Sequence, residues 1–377
     1  MQIIIPTNAT ADMTNTIPSI TIGLDLGDKK HAVCVLNAAG EVVEECAITN
    51  HRESLRRLSK KYSNSRIALE VGTHSPWTSR FFKDLGHEVL VANPRKLRAI
   101  YTSVRKSDQS DAHMIARLAR VDPILLSPIQ HATEEAQRDL LQIKLRDNLV
   151  RQRVDIISSI RFTLKSLGVT LASPNTACFA KACRNALATQ EPALLAMCEP
   201  SLRIVEEITR SVRELERHIE ELCANTYPET AWVRQITGVG AITALCFVLT
   251  IGDPARFQSS RDVAAYLGLV PKRDQSGDTD KALPISKAGN AYLRRLLVGS
   301  AQYILGPFGP DCDLRRQGVL LAARGGRAAK KKAVVALRPQ TLRVDAHPLE
   351  GQTHLRAAAQ HLCSRLRRAA QATGLTR

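Results

Sequence analysis

Four acidic residues in the first third of the chain have the types and spacing of a divalent-metal site. Asp25 stands where the apolar run Ile20–Leu24 gives way to Leu-Gly-Asp-Lys-Lys, and Glu70 ends the apolar stretch Ile67–Leu69 in the same way. Each carboxylate therefore falls at or near a strand end, and on neighbouring strands the two would project from one region. Asp108 and Asp111 stand three apart at the start of a helical stretch, DAHMIARLAR. That spacing puts both on one helical face. Converging carboxylates repel one another unless a cation neutralises them, and their oxygens suit Mg²⁺ or Mn²⁺. Two such ions can activate an attacking oxygen and stabilise a leaving oxygen at phosphorus. Taken singly, each acid has a plainer use. Asp108 could be an N-cap after Ser107, Asp111 a first-turn acid favoured by the helix dipole, Asp25 a turn residue and Glu70 a solvated strand end.

The elements that must position these acids can be read from hydrophobic period. SITIGLD, HAVCVLN and EVVEECAIT read as three antiparallel strands, with a turn at Asn37–Gly40 between the second and third. A basic helix, HRESLRRLSKKY, a buried strand, RIALEV, a helix around FFKDLG, a strand, EVLVANP, and a helix from Lys96 follow. The order βββαβαβα predicts a mixed α/β sheet with helices on its faces. From about Glu134 the chain turns helical, with Ile143, Val150, Ile157 and Leu164 spaced by seven. A second long segment carries Val205, Ile208, Val212, Leu215, Ile219 and Leu222, a coiled-coil spacing. The two stripes are expected to pair, within one chain or between chains. From Trp232 the stretch ITGVGAITALCFVLTIGD sets Gly238 and Gly240 in a tight turn before an apolar helix, a helix-hairpin-helix type of signature. Such a turn can aim backbone N–H groups at phosphates, and it can equally be a plain interhelix turn. The expected division is a flexible N-terminus (1–19), an α/β domain (20–130), a helical coiled-coil region (131–227), a mainly α C-terminal domain (228–336) and a basic tail (337–377).

Composition narrows the partners. Lys and Arg number 53 against 36 Asp and Glu in 377 residues, a formal net charge of +17. A surplus of that size attracts polyanions, with nucleic acid the default. The longest apolar run, Ala241–Ile251, is too short to span a bilayer, so no membrane role is expected. Nine scattered cysteines without a CxxC pair read as reduced thiols, and the N-terminal stretch lacks the pattern of a secretory signal. Both point to a cytoplasm.

The motifs then become specific. IGLDLGDKKHAVCVL, ALEVGTHSPW, VLVANPRKLRA and KSDQSDAHMIARL resemble the RuvC-type, RNase H-like domain of the DEDD transposases of bacterial insertion sequences, whose elements encode a bridge RNA. The stretch from ITGVGAITAL through SKAGNAYLRRLL resembles that family's C-terminal transposase domain. The resemblance implies a metal-binding tetrad of Asp25, Glu70, Asp108 and Asp111. It also implies a catalytic serine at Ser276, in KRDQSGD, that holds a DNA end as a covalent phosphoserine while strands are exchanged. A serine hydroxyl is a weak nucleophile until its proton is removed or a metal lowers its pKa. Lys272, Arg273 and Lys287 near it would hold the phosphodiester backbone, although an ordinary solvated basic face accounts for them equally. The resemblance further implies donor and target DNA, a bridge RNA pairing with both, and a homo-oligomer, dimer or tetramer. A basic, aromatic-poor protein (4% Phe, Trp and Tyr) suits backbone binding more than base stacking. Two rivals stay open: a Holliday-junction resolvase-like nuclease, which needs the acids and not Ser276, and a nucleic-acid-binding remnant without catalysis.

After Ala336 the resemblance stops and a basic, poorly patterned tail follows. Pro339–Glu350 can be back-translated so that a neighbouring frame gives ARKLSVLMHTLWK, the missing apolar helix. A one-base slip is the expectation here, which would leave this copy partly or wholly inactive. A divergent nucleic-acid-binding tail is the alternative.

Overall fold

The computed structural model describes residues 18–95, 97, 107–171, 175–188, 191–276, 279–323, 325 and 333. The helix expected from Lys96 and the tail from 337 lie outside the described residues, as does most of the N-terminal stretch. The chain forms two compact units that divide between Ala132 and Thr133.

The first unit is a mixed α/β sheet. Strands β1 (Ile20–Leu26), β2 (Lys30–Asn37) and β3 (Val42–Thr49) form an antiparallel meander, followed by α1 (Arg52–Lys61), β4 (Arg66–Glu70), α2 (Ser75–Asp84), β5 (Glu88–Ala92) and α3 (Asp108–Val121). The strand order is β3-β2-β1-β4-β5, with β4 and β5 parallel to β1. The meander turns where expected: Gly40 has φ +86° and its N–H donates to the Asn37 carbonyl at 3.0 Å.

Side-chain alternation sorts the sheet into two faces. Ile22, Leu24, Val33, Val35, Ile67 and Leu69 share a core with Leu55 and Leu58 of α1 and Phe82 of α2. On the other face lie Ala32, Cys34 and Leu36 of β2, Ala68 of β4, and Leu90 and Ala92 of β5, packed against Ala112, Ile115, Ala116 and Ala119 of α3. The residues facing α3 are mostly small, so this helix approaches the strands closely.

The second unit is largely helical: α4 (Glu134–Ser166), α5 (Phe179–Ala188), α6 (Pro192–Asn225), α7 (Thr230–Arg234), α8 (Ala241–Ile251), α9 (Ser260–Tyr266), α10 (Ala291–Leu305) and α11 (Asp313–Ala323). The two heptad stripes meet within one chain. Arg146 Nε donates to Glu216 at 3.0 Å and Arg153 to Thr209 Oγ1 at 3.3 Å, so α4 and α6 run antiparallel. One end of the pair, with Ile143 and Ile219, joins the core of α7–α10, and the other, with Ile157, Leu164, Leu202 and Val205, closes on Phe179 and Leu187 of α5. Between α9 and α10 stands a two-stranded hairpin, β6 (Pro271–Ser276) and β7 (Thr279–Ile285), which the polar stretch KRDQSGD did not announce as strand. No helix among the described residues is long and apolar enough to cross a membrane.

Candidate active site

Two of the four acids stand side by side. The parallel register of β1 and β4 pairs Ile22 with Ile67 and Leu24 with Leu69, so one step further Asp25 stands beside Glu70. Adjacent strands lie about 4.8 Å apart. Gly23 and Asp25 alternate with Leu24, and Ala68 and Glu70 with Leu69, so both carboxylates belong to the face that carries α3.

Helix α3 brings the other two to the same end. Arg66 opens β4, and its Nη1 donates to the carbonyl of Ala119, near the end of α3, at 3.1 Å. The helix therefore runs against the strand, and its first turn lies toward Glu70. A Cβ on Gly23 would stand 2.0 Å from the Ala112 carbonyl oxygen and 2.6 Å from the Ala116 nitrogen, which fixes strand and helix at main-chain contact. Two residues along β1 is about 6.6 Å, the rise of roughly four helical residues, so Asp25 is level with the first turn of α3. Gln109 clamps that turn, its Nε2 donating to the Val33 carbonyl at 2.9 Å, and Val33 faces Leu24 across the β1–β2 ladder.

Asp108 and Asp111 share this turn and differ in burial. Asp111 is 7% exposed, whereas Asp108 is open to solvent. Ser107, not Asp108, is the N-cap: its side chain accepts from the Ser110 N–H at 3.2 Å. Asp108 is thereby relieved of the plainer role. No three of these acids have ligand oxygens all within 4.8 Å of one another. Among the described residues the trio that meets that distance is Cys34, Glu45 and His113, between β2, β3 and α3. There the Arg117 Nε donates to His113 Nε2 at 3.0 Å, and burial first, then Glu45, push the Cys34 thiol up to about 11.

The segment after Glu70 is held by polar contacts that the sequence did not flag. Ser75 Oγ donates to the Gly72 carbonyl at 2.9 Å and accepts from the Gly72 N–H at 3.0 Å. With its one proton spent on Gly72, that hydroxyl accepts from His131 Nε2 at 2.9 Å. Burial, then Arg80 and Lys83, lower the His131 pKa to about 4. Of the residues that sequence reasoning passed over, Gly23 carried a usable signal: a glycine inside an apolar strand marks close backbone approach. Gln109 and His131 carried none, because their partners, Val33 and Ser75, are distant along the chain.

Ser276 belongs to the other unit. It is the last residue of β6, paired with Thr279, and every residue of β6, Lys272 and Arg273 included, is exposed. Lys287 is exposed with φ +54° and donates its backbone N–H to Gly268 at 3.1 Å. Gly238 has φ +80°, and a Cβ there would stand 3.0–3.3 Å from Tyr303, Ser300 and Ile304, so packing against α10 accounts for it. Gly240 is the N-cap of α8 with open space where a Cβ would be.

Residues 22–168 match a family described as Transposase, of DEDD type, and residues 231–310 match the Transposase IS116/IS110/IS902 family. The transposase for insertion sequence element IS1111A of Coxiella burnetii is 28% identical over 84% of this chain and 85% of its own. The transposase for IS1328 of Yersinia enterocolitica is also 28% identical, over 76% and 84%. The pilin gene-inverting protein of Moraxella bovis is 24% identical over 73% and 80%. Two transposase matches in order on one chain define an enzyme that cuts and rejoins DNA. More particularly, the chain belongs to the IS110 family of insertion-sequence transposases.

Proposed function

We propose that this transposase moves its insertion sequence by using two chemical centres, the acids of the first unit and Ser276 of the second. The observation that carries the reading is the level placement of Asp25 and Glu70 on adjacent parallel strands, with Asp111 buried at the facing helix start. The strand order with an antiparallel meander and two parallel additions supports an RNase H-like, RuvC-type domain.

The donor set fits a divalent ion, because all four groups offer hard carboxylate oxygens. Mg²⁺ (or Mn²⁺) usually keeps several waters, so direct ligation by some of the acids is enough, and their spread beyond 4.8 Å is compatible with that. When bound, the ion supplies positive charge to the phosphate and lowers the pKa of a hydroxyl. Asp25, Glu70 and Asp111 hold fixed positions on strand ends and helix start, and Asp108 reaches in from the solvent side.

Ser276 Oγ attacks a DNA phosphorus: the O–P bond to serine forms, the bond to the leaving DNA oxygen breaks, and the serine proton ends on that oxygen. Rejoining reverses the step with a different DNA oxygen as nucleophile. Exposure at a hairpin end suits a residue that must reach a phosphate. Lys272, Arg273 and Lys287, with the turn at Gly238 and Gly240, would hold the backbone, and a bridge RNA would supply sequence choice by pairing with donor and target. The chain would work as a homo-oligomer, dimer or tetramer. A suicide DNA substrate tests the core of this reading. The parent is expected to leave a protease-sensitive protein–DNA adduct that Ser276→Ala does not form. An adduct unchanged in Ser276→Ala would overturn the serine assignment.

A further inference from the structure

At the acid-bearing end of the sheet, on the face that carries α1 and α2, lies a second feature that strand cleavage by itself does not require. Asn50, His51, Arg52 and Trp77 line a shallow cavity of about 470 Å³ that is wide open to solvent. Its place is fixed by the loop that follows Asp25. Asn50 Nδ2 donates to the carbonyls of Gly27 and Asp28 at 3.3 and 3.1 Å. His74, four residues beyond Glu70, joins the same loop through Nε2, 2.9 Å from Asp28 Oδ1.

The indole in this cavity is oriented rather than merely packed. Trp77 Nε1 donates to His74 Nδ1 at 3.4 Å. Because an indole nitrogen only donates, Nδ1 of His74 is the acceptor and its Nε2 carries the proton given to Asp28. The chain Trp77–His74–Asp28 thus ties the ring to the end of β1. Arg52 stands 5.8 Å from the indole centroid and 5.9 Å from Phe81, and Arg56 stands 5.8 Å from Phe81. His51 Nδ1 caps α1 by accepting from the Glu53 N–H at 3.4 Å. A half-buried aromatic face, exposed guanidinium groups and the open cavity between them combine stacking with phosphate attraction, the two means by which proteins hold unpaired nucleotides.

We propose that this cavity receives an unpaired base of the DNA strand whose phosphate reaches the carboxylates, stacked on Trp77 with Arg52 over it. The proposal rests on the reading of the acids as the cutting site, since that reading brings a DNA strand over the ends of β1 and β4. DNA is the occupant because the cavity is tied to the loop directly after Asp25. A base held there would fix which phosphate meets the acids, so the cavity would set the position of the cut as well as add affinity.

The chain has two tryptophans, so a Trp232→Phe background leaves Trp77 as the fluorophore. The measurement is quenching of Trp77 emission by a short single-stranded DNA in EDTA, where no cleavage occurs, compared with the same strand carrying abasic positions and with RNA of the same sequence. Saturable quenching that an abasic site at one position removes is the expected result. Trp77→Ala should weaken binding of that oligonucleotide, followed by anisotropy, about tenfold, and Trp77→Phe should keep most of it. Arg52→Gln, an exposed substitution that leaves the core intact, should weaken it about threefold. Equal quenching by fully abasic DNA, binding unchanged in both Trp77→Ala and Arg52→Gln, or quenching by RNA and not by DNA would each overturn the proposal. Asp25→Ala keeps the two ideas separate. If it still cleaves, the acid reading fails whatever the fluorescence shows. If cleavage is lost while quenching does not depend on bases, the cavity proposal alone fails.

Discussion

The acids and the serine are built in opposite ways. Asp25, Glu70 and Asp111 stand on strands and a helix joined at main-chain contact, with Gly23 against Ala112 and Arg66 bonded to Ala119. Ser276 ends a strand whose six residues are all exposed, in the other compact unit. A metal site of the proposed kind would need ligands held closely in place, and the packed strands and helix that carry these acids suit that. A nucleophile that attacks a large, variable substrate needs access. The contrast assigns geometric tolerance: errors are costly at the acids and cheap around the serine.

That contrast can be broken in four places, from the largest effect to the smallest. Ser276→Ala should abolish the covalent adduct while leaving thermal stability within about 0.5 kcal/mol, measured by adduct trapping and melting. A large loss of stability would show that the hairpin is less independent than its exposure suggests. Asp25→Ala should lower metal-dependent strand cleavage by on the order of 10³-fold or more, with DNA binding retained at fixed salt. Gly23→Ala sharpens the first half of the comparison. Its methyl meets backbone, so α3 must shift, which should cost about 2–3 kcal/mol in unfolding and, by misplacing Asp111, about 10²-fold in cleavage. The smallest effect is one of pH. Unfolded, His131 binds a proton near its ordinary 6.5; folded, it does so only at about 4. Between these values the unfolded chain holds more protons, so stability rises with pH. Melting of the chain should show a contribution that is full above about 6.5 and falls as pH drops toward 4, and His131→Gln should flatten it.

The places of the acids, at strand ends and a helix start, could be read from sequence because each ends an apolar run or opens a helix, where period and capping signals are strongest. The element order of the first unit and the pairing of the two heptad stripes followed from the same periodicity, whereas the strand order and the fact that the stripes meet within one chain came from the structure. Three things did not. The hairpin β6–β7 was hidden because Pro-Lys-Arg-Asp-Gln-Ser has no alternating apolar side, both faces being wet. Whether Ser107 or Asp108 caps the helix stayed open because both residue types cap helices well, and only geometry separates them. The clasp of Ser75 and His131 spans 56 residues, and no local pattern reports a contact of that range. A role for Trp77 was not legible for a related reason. A low aromatic content argues against stacking on average, but one well-placed ring is enough.

The main-chain contact between Gly23 and α3 also bears on how such a protein can drift. Where a helix rests on a strand through side chains, each exchange of one apolar residue for another resets the gap between them. Here the gap is set by atoms that no substitution outside Gly23 alters. Apolar residues around it can change size while the strand ends and the helix start keep one datum from which their acids are measured.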